Sequence, residues 1–398
     1  MRRLPHAGWL LGLCLAEGLT MLVFLNYSAL LPLFEAEWRL SHTEAGLIFS
    51  AYQVGYIAAV AVLSSLTDWV EPRRIYLLSA LWATLTNLAF AAFAGGFASA
   101  LMLRALAGAG LAGTYMPGMR LVAERFPPAR RGFALGCYIA TFTLGSSASL
   151  LLTGFVNAAW GWRSAFVLTA IGPLLGGGLA LLLLAPSHSA VGSRQSGPAA
   201  RVWRNRSVLR LIVAYAAHNW ELFGMRGWIA AFLAASLVAA GATLDGATQR
   251  AAAVASGILA VGAISNPLAG LVSDRWGRAR LISVVMLVSG ACSLLIGWGL
   301  HWPFALLVTV ALLYGFIVTA ESAVVSTSIT EHAEPAVLGR TMALQATIGF
   351  TTAALAPAAF GLILDLTQTW GWAFTLLGVG VLVGPMAIGF RDLPVKGA

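Results

Sequence analysis

The sequence predicts an all-α polytopic membrane protein of about twelve transmembrane helices in two pseudo-symmetric six-helix halves. Three observations predict it: long apolar runs recur along the whole chain, charges are confined almost entirely to the segments between them, and the second half repeats features of the first. Hydrophobic residues make up 59% of the 398 and charged residues 10%, against about 25% charged in an average soluble domain. A single soluble core stops growing near ~250–300 residues and could not absorb so much apolar surface. A lipid solvent can.

About 20 apolar residues in a helix cross ~30 Å of hydrocarbon. Such runs lie at 8–33, 45–66, 75–94, 97–121, 132–156, 164–185, 208–236, 248–272, 281–299, 303–328, 338–364 and 371–390. Each is expected to be helical, because its backbone groups have no water to bond inside the bilayer. Arg2 and Arg3 before the first run imitate a secretory signal, but Glu17 interrupts the run and apolar residues continue to Leu33. The segment therefore reads as the first spanning helix.

Orientation follows from the arginines. One set of connections carries Arg2, Arg3, Arg73, Arg74, Arg125, Arg130, Arg131, Arg194, Arg201, Arg204, Arg206, Arg275, Arg278, Arg280, Arg340, Arg391 and Lys396. The other set carries Arg39, Arg163 and Arg250, with Glu35, Glu37, Glu44, Asp245 and Asp365 beside them. The first set is expected to be cytoplasmic, with both termini, in a cell inner membrane. The longest connection, at 187–207, is rich in Ser, Gly, Pro and Arg and reads as a flexible cytoplasmic linker. It divides the chain into an N-terminal half, 1–186, and a C-terminal half, 208–398.

Several classes fall away. The net charge of +9 could suggest nucleic acid, but its arginines lie in short loops between apolar runs instead of on one polar domain. Lys396 is the one lysine, and a phosphate-binding loop needs a lysine after its glycines, so no nucleotide cofactor is expected. Cys14, Cys137 and Cys292 sit inside apolar runs without metal-ligand spacing, so no metal is expected. There is no His-Glu-x-x-His and no Gly-x-Ser-x-Gly, so a membrane-embedded hydrolase has no catalytic constellation.

The halves echo each other. Asp68 with Arg73 and Arg74 follows the second run, and Asp274 with Arg275 and Arg278 follows the eighth. Trp160-Gly161-Trp162-Arg163-Ser164-Ala165-Phe166 opens the sixth run, and Trp370-Gly371-Trp372-Ala373-Phe374 opens the twelfth. Many secondary transporters are built from such repeats, with the solute site between them.

On these residues the chain resembles the major facilitator superfamily along essentially its whole length. The strongest match is Gly270-Leu271-Val272-Ser273-Asp274-Arg275-Trp276-Gly277-Arg278-Ala279-Arg280, which is similar to that family's cytoplasmic loop signature. The first-half copy is degraded: Ser64 and Glu71 stand where glycines are usual. Leu103 to Gly110, an arginine followed by glycines, is similar to the family's fourth-helix motif, and Trp162 to Phe166 also looks family-like. The Gly-Pro-rich fifth helix of many drug–proton antiporters is missing, since no proline lies between Phe133 and Val156. The resemblance implies gating by Asp68, Arg73, Asp274, Arg275 and Arg278, and a functional monomer.

Charges within a spanning helix are expensive and need a reason. Away from the run ends they are Glu17, Arg104, His218, Glu221, Arg226 and Glu321, all in the first, fourth, seventh and tenth runs. In the family resembled, those helices line the central cavity. Glu221 follows His218 by three residues, so the two share a helix face with Met225 and Trp228. That face reads as a proton-coupling or solute-contact stripe, or as a His–Glu bond that only fixes packing. Glu17 shares a face with Thr20, Phe24 and Ser28, and either binds a proton or pairs permanently with Arg104. Arg104 keeps its charge and needs a partner or an anion. Arg226 is expected to snorkel toward the periplasmic interface. Glu321 shares a face with Tyr314 and sits toward the cytoplasmic third of its run.

The expected function is secondary transport of a small solute, an organic anion being favoured by the two arginines, by alternating access with proton coupling. An uncoupled facilitator, a multidrug or metabolite exporter and a transporter-like receptor stand as alternatives. The expected partners are the solute, protons and the bilayer.

Overall fold

The computed structural model describes residues 6–66, 70–184, 200–334 and 337–390. Its elements in order are α1 (His6–Thr20), a 3-10 turn (Met21–Val23), α2 (Asn26–Ala29), α3 (Leu31–Trp38), α4 (His42–Leu66), α5 (Pro72–Phe93), α6 (Phe97–Arg125) and α7 (Pro128–Leu183). There follow α8 (Ala200–Trp203), α9 (Arg206–Ala239), α10 (Leu244–Trp276), α11 (Arg278–Ile296), a second 3-10 turn (Gly297–Gly299), α12 (Phe304–His332), α13 (Leu338–Thr367), α14 (Trp370–Val381) and α15 (Val383–Ile388). Among the described residues, ten segments are long and apolar enough to cross a membrane. One of them holds the fifth and sixth runs, which α7 joins across Gly161, where φ is +79°. With the 25-residue α4 the spans number about twelve, as the hydropathy predicts.

The first run departs from that prediction. It is broken between Thr20 and Leu31, where α1 gives way to the 3-10 turn, then α2, then α3. Pro32 contributes, because it lies in the first turn of α3 and offers no N–H with which a continuous helix would bond the preceding turn. Backbone groups freed by a break inside a membrane must find partners. Ser149 of α7 takes two of them, donating to the Leu22 carbonyl at 2.6 Å and accepting from the Leu25 N–H at 3.2 Å.

The chain forms two compact units. Unit 1 comprises Met1–Leu40, Ala51–Ser193 and Thr243–Ser256; unit 2 comprises Ser41–Ser50, Arg194–Ala242 and Gly257–Ala398. The helices α4 and α10 are therefore each shared between the units. The core of unit 1 gathers Trp9, Leu13, Tyr76, Val122, Tyr138 and Ala180 from α1, α5, α6 and α7. Phe34, Trp38, Phe90, Trp162 and Phe166 form an aromatic cluster at one end, with Phe90 and Phe166 stacked at 4.3 Å. In unit 2 the core gathers Leu211, Ile282, Met286, Val324, Ile329 and Val381 around α9. From Glu221 to Ala234 every residue of α9 is buried, on all faces.

Glycine sets one close approach that matters for the site. A side chain at Gly108 would run into the Tyr52 carbonyl, and one at Gly55 into the Ala105 carbonyl, so α4 and α6 meet backbone to backbone. This is the small-residue packing expected between helices in lipid. Gly108→Ala is expected to lower stability by ~1–3 kcal/mol, the usual cost of overpacking. Gly136, whose Cβ would meet open space, serves as the control. Thermal unfolding in detergent checks this: a midpoint for Gly108→Ala equal to that of Gly136→Ala would contradict it.

Candidate functional site

The six intramembrane charged residues fall into two groups, one in each unit, and all six are buried. In unit 1, Arg104 of α6 is 1% exposed and reaches the break in the first span. Its Nη1 donates to the Val23 carbonyl at 3.1 Å and to Asn26 Oδ1 at 3.0 Å, and its Nη2 to the Phe24 carbonyl at 2.8 Å. With Ser149, it takes up the carbonyls of Leu22, Val23 and Phe24 and the Leu25 N–H at the break. Its guanidinium carbon lies 4.4 Å from the centre of the Tyr52 ring, which the Gly108 contact brings alongside. Asn26 continues the network, donating to Asn87 Oδ1 at 2.9 Å, and Asn87 donates to the Phe166 carbonyl at 2.7 Å.

Glu17 does not pair with Arg104, which corrects one of the sequence readings. Its Oε2 accepts from Tyr138 at 2.9 Å and from Tyr76 at 3.3 Å, while its Oε1 is buried without a hydrogen bond. Arg104 is drawn instead to carbonyls, whose partial charges are fixed by the helix break. Every hydrogen-bond acceptor of Arg104 is neutral, and among the described residues no carboxylate forms an ion pair with it.

In unit 2, His218 of α9 bonds across to α12. Its Nδ1 lies 2.7 Å from Glu321 Oε1, and its Nε2 lies 2.6 Å from the Ser322 hydroxyl. Glu321 Oε2 is buried without a hydrogen bond. Glu221, which shares a helix face with His218, is held separately: Ser289 donates to it at 2.7 Å and Tyr314 at 3.1 Å. The histidine's carboxylate partner is thus Glu321, 103 residues away, and not its neighbour on α9. Gln345 donates to Ser326 at 3.0 Å. Arg226 is 4% exposed and does not snorkel. The reason is that α9 is enclosed around that level, so the side chain has no open path to the interface.

Of the residues for which the resemblance implies gating, Asp68 lies outside the described residues. Arg73 donates to the Leu181 carbonyl at 3.3 Å. Asp274 is 3.4 Å from Arg278, and Arg278 forms a bidentate pair with Glu331 of α12 at 2.6 and 2.7 Å. Arg275 is exposed. Gly277, with φ at +86°, is the single residue between α10 and α11, a backbone shape that glycine adopts without steric cost. Sequence reading missed Glu331, Ser322, Ser289, Tyr76 and Tyr138, because a neutral hydroxyl or a loop-end carboxylate carries no signal of the partner it meets.

Each unit thus holds its own buried charges, with Arg104 of unit 1 bonded at a broken helix, and no set of His, Cys, Asp and Glu suited to a metal occurs among the described residues. The pattern of the Major Facilitator Superfamily matches residues 13–248 and 224–397. The chain belongs to that family. A probable sulfoacetate transporter of Cupriavidus necator is 28% identical over 304 residues, covering 70% of this chain and 68% of that protein. The hexuronate transporter of Bacillus subtilis is 26% identical over 395 residues, covering 92% and 90%. A bacterial homologue of the human lysosomal transporter Spinster, in an inward-facing and occupied conformation, superposes with a TM-score of 0.76 at 16% identity, covering 96% of this chain and 95% of that one. That likeness is one of fold. As a superfamily member the chain is a multi-pass membrane transporter of small solutes and not an enzyme.

Proposed function

We propose that this major facilitator superfamily protein is a secondary transporter that moves a small organic anion by alternating access, coupled to protons. Its place is the inner membrane, with both termini cytoplasmic, and it works as a monomer. The observation that carries the anion reading is Arg104: a fully buried guanidinium whose acceptors are all neutral. A buried charge left without a counter-charge is costly, and a bound anion supplies one. The named solutes of the two relatives, sulfoacetate and hexuronate, are of that class. The coupling reading rests on His218 and Glu321, an imidazole and a carboxyl in direct contact that can hold or release a proton together.

The test is counterflow and concentrative uptake in proteoliposomes with a panel of small carboxylates and sulfonates, their neutral amides or alcohols, and small cations. Saturable uptake of the anions, stimulated by a proton gradient, is the expected result. Equal uptake of the neutral analogues would overturn the anion reading.

A further inference from the structure

We infer that Asp365 is a gating residue, a carboxylate latch that holds the tip of the second span in unit 2 and lets go during transport. This rests on the alternating-access reading above. The N-terminus of α4 begins with Ser41, His42, Thr43 and Glu44. Ser41 and Glu44 form a capping box: the Ser41 N–H donates to Glu44 Oε2 at 2.9 Å, and the Glu44 N–H to the Ser41 hydroxyl at 3.1 Å. The first turn of a helix has N–H groups with no partner inside the helix. Here the box leaves those of His42 and Thr43. Asp365 of α13 takes both, at 2.9 and 2.8 Å, and also accepts from the Thr43 hydroxyl.

Its own helix gives no reason for a carboxylate at that position. Asp365 lies in the last turn of α13, where the helix dipole disfavours negative charge, whereas the N-terminus of α4 favours it. Packing around the latch follows the same design. A side chain at Gly46 would run into the Pro357 carbonyl, and one at Gly361 into the His42 carbonyl. The His42 ring lies 6.0 Å from that of Trp228, whose indole N–H donates to the Pro357 carbonyl at 2.9 Å.

The latch has a mechanical consequence because α4 is shared. Ser41–Ser50 belongs to unit 2, and Ala51 onward to unit 1. Alternating access moves one half of such a transporter against the other. Such a motion strains a helix divided between the two units, and the tip capped by Asp365 is the end that lets go. Asp365 thereby sets how readily the tip leaves.

Cysteine accessibility in nanodiscs tests this. In a background with Cys14, Cys137 and Cys292 replaced by serine, Ala45→Cys places a thiol in the tip at a position that is 0% exposed, and Ala311→Cys places one elsewhere in unit 2 at 0% exposure. Asp365→Ala is expected to raise maleimide labelling at position 45 by about tenfold, the effect of losing a charge-assisted helix cap. Asp365→Asn, which keeps an acceptor and loses the charge, should give a smaller rise, and Thr43→Val a smaller one again. Labelling at position 311 should not change. An unchanged rate at position 45, or rates rising together at 45 and 311, would overturn the latch. If the alanine variant does not fold, the asparagine and valine variants decide by the same rule. Labelling needs no solute, so a chain that transports no anion yet labels faster in the Asp365 variants would sink the anion reading and leave the latch standing.

Discussion

Arg104→Gln is expected to weaken anion-dependent stabilisation of the purified protein sharply, and Arg104→Lys to retain a larger part of it. Glutamine removes the positive charge and keeps a single amide donor for the carbonyls of Val23 and Phe24. Lysine keeps the charge, but a compact ammonium cannot span the three acceptors that the planar guanidinium fork reaches at 2.8 to 3.1 Å. Hydrogen bonds to charged groups are worth about 1.5–3 kcal/mol, so anion affinity should fall by about 10- to 100-fold in the glutamine variant. Ligand-induced thermal shift measures this, with circular dichroism to show that the helices remain. A second outcome separates the two roles of the residue. If Arg104→Gln unfolds earlier but binds the anion with wild-type affinity, the guanidinium is a strut for the broken span, and the solute takes its counter-charge elsewhere.

The fold was legible because hydropathy reports the solvent directly. Runs of about 20 apolar residues can only be spanning helices, and Gly277, between Trp276 and Arg278 in the loop signature, falls where one span gives way to the next. The break in the first span was half legible. Pro32 sits inside an apolar run and argues for a departure from helix just before it, but nothing local says that Arg104 and Ser149 would take up the freed groups. The partners of Arg104 are mostly backbone carbonyls, and a carbonyl looks the same in every residue. Arg226 exposes a different limit. Hydropathy cannot distinguish a helix wrapped by protein from one facing lipid, so a charge near a span's end reads as a snorkel even where α9 is buried on every side. The pairing of His218 was illegible for the same reason that its periodicity was persuasive. Helical spacing brings His218 and Glu221 to one face, but it does not say that α12 delivers a second carboxylate and that Ser289 and Tyr314 claim the first. Local spacing identifies candidates; long-range packing chooses among them.

That choice makes the coupling assignment testable. Glu321→Gln is expected to eliminate concentrative uptake under a proton gradient while leaving counterflow intact. The amide is nearly the same size as the carboxyl and can still bond His218 Nδ1, so binding and the conformational change should survive. It cannot take up or release a proton, so the pair loses the state change that links solute movement to the gradient. Counterflow should stay within about fivefold of wild type, since exchanging one buried hydrogen bond for a neutral one is worth ~1 kcal/mol. Glu221→Gln is the informative comparison. Glu221 is held by the hydroxyls of Ser289 and Tyr314, which can accept from an amide as readily as they donate to a carboxylate. That variant should therefore concentrate solute like the wild type. Both activities are measured in the same proteoliposomes, with and without a pH difference. If Glu221→Gln loses accumulation and Glu321→Gln keeps it, the coupling proton resides on Glu221, and the His218–Glu321 contact is a packing bond between α9 and α12.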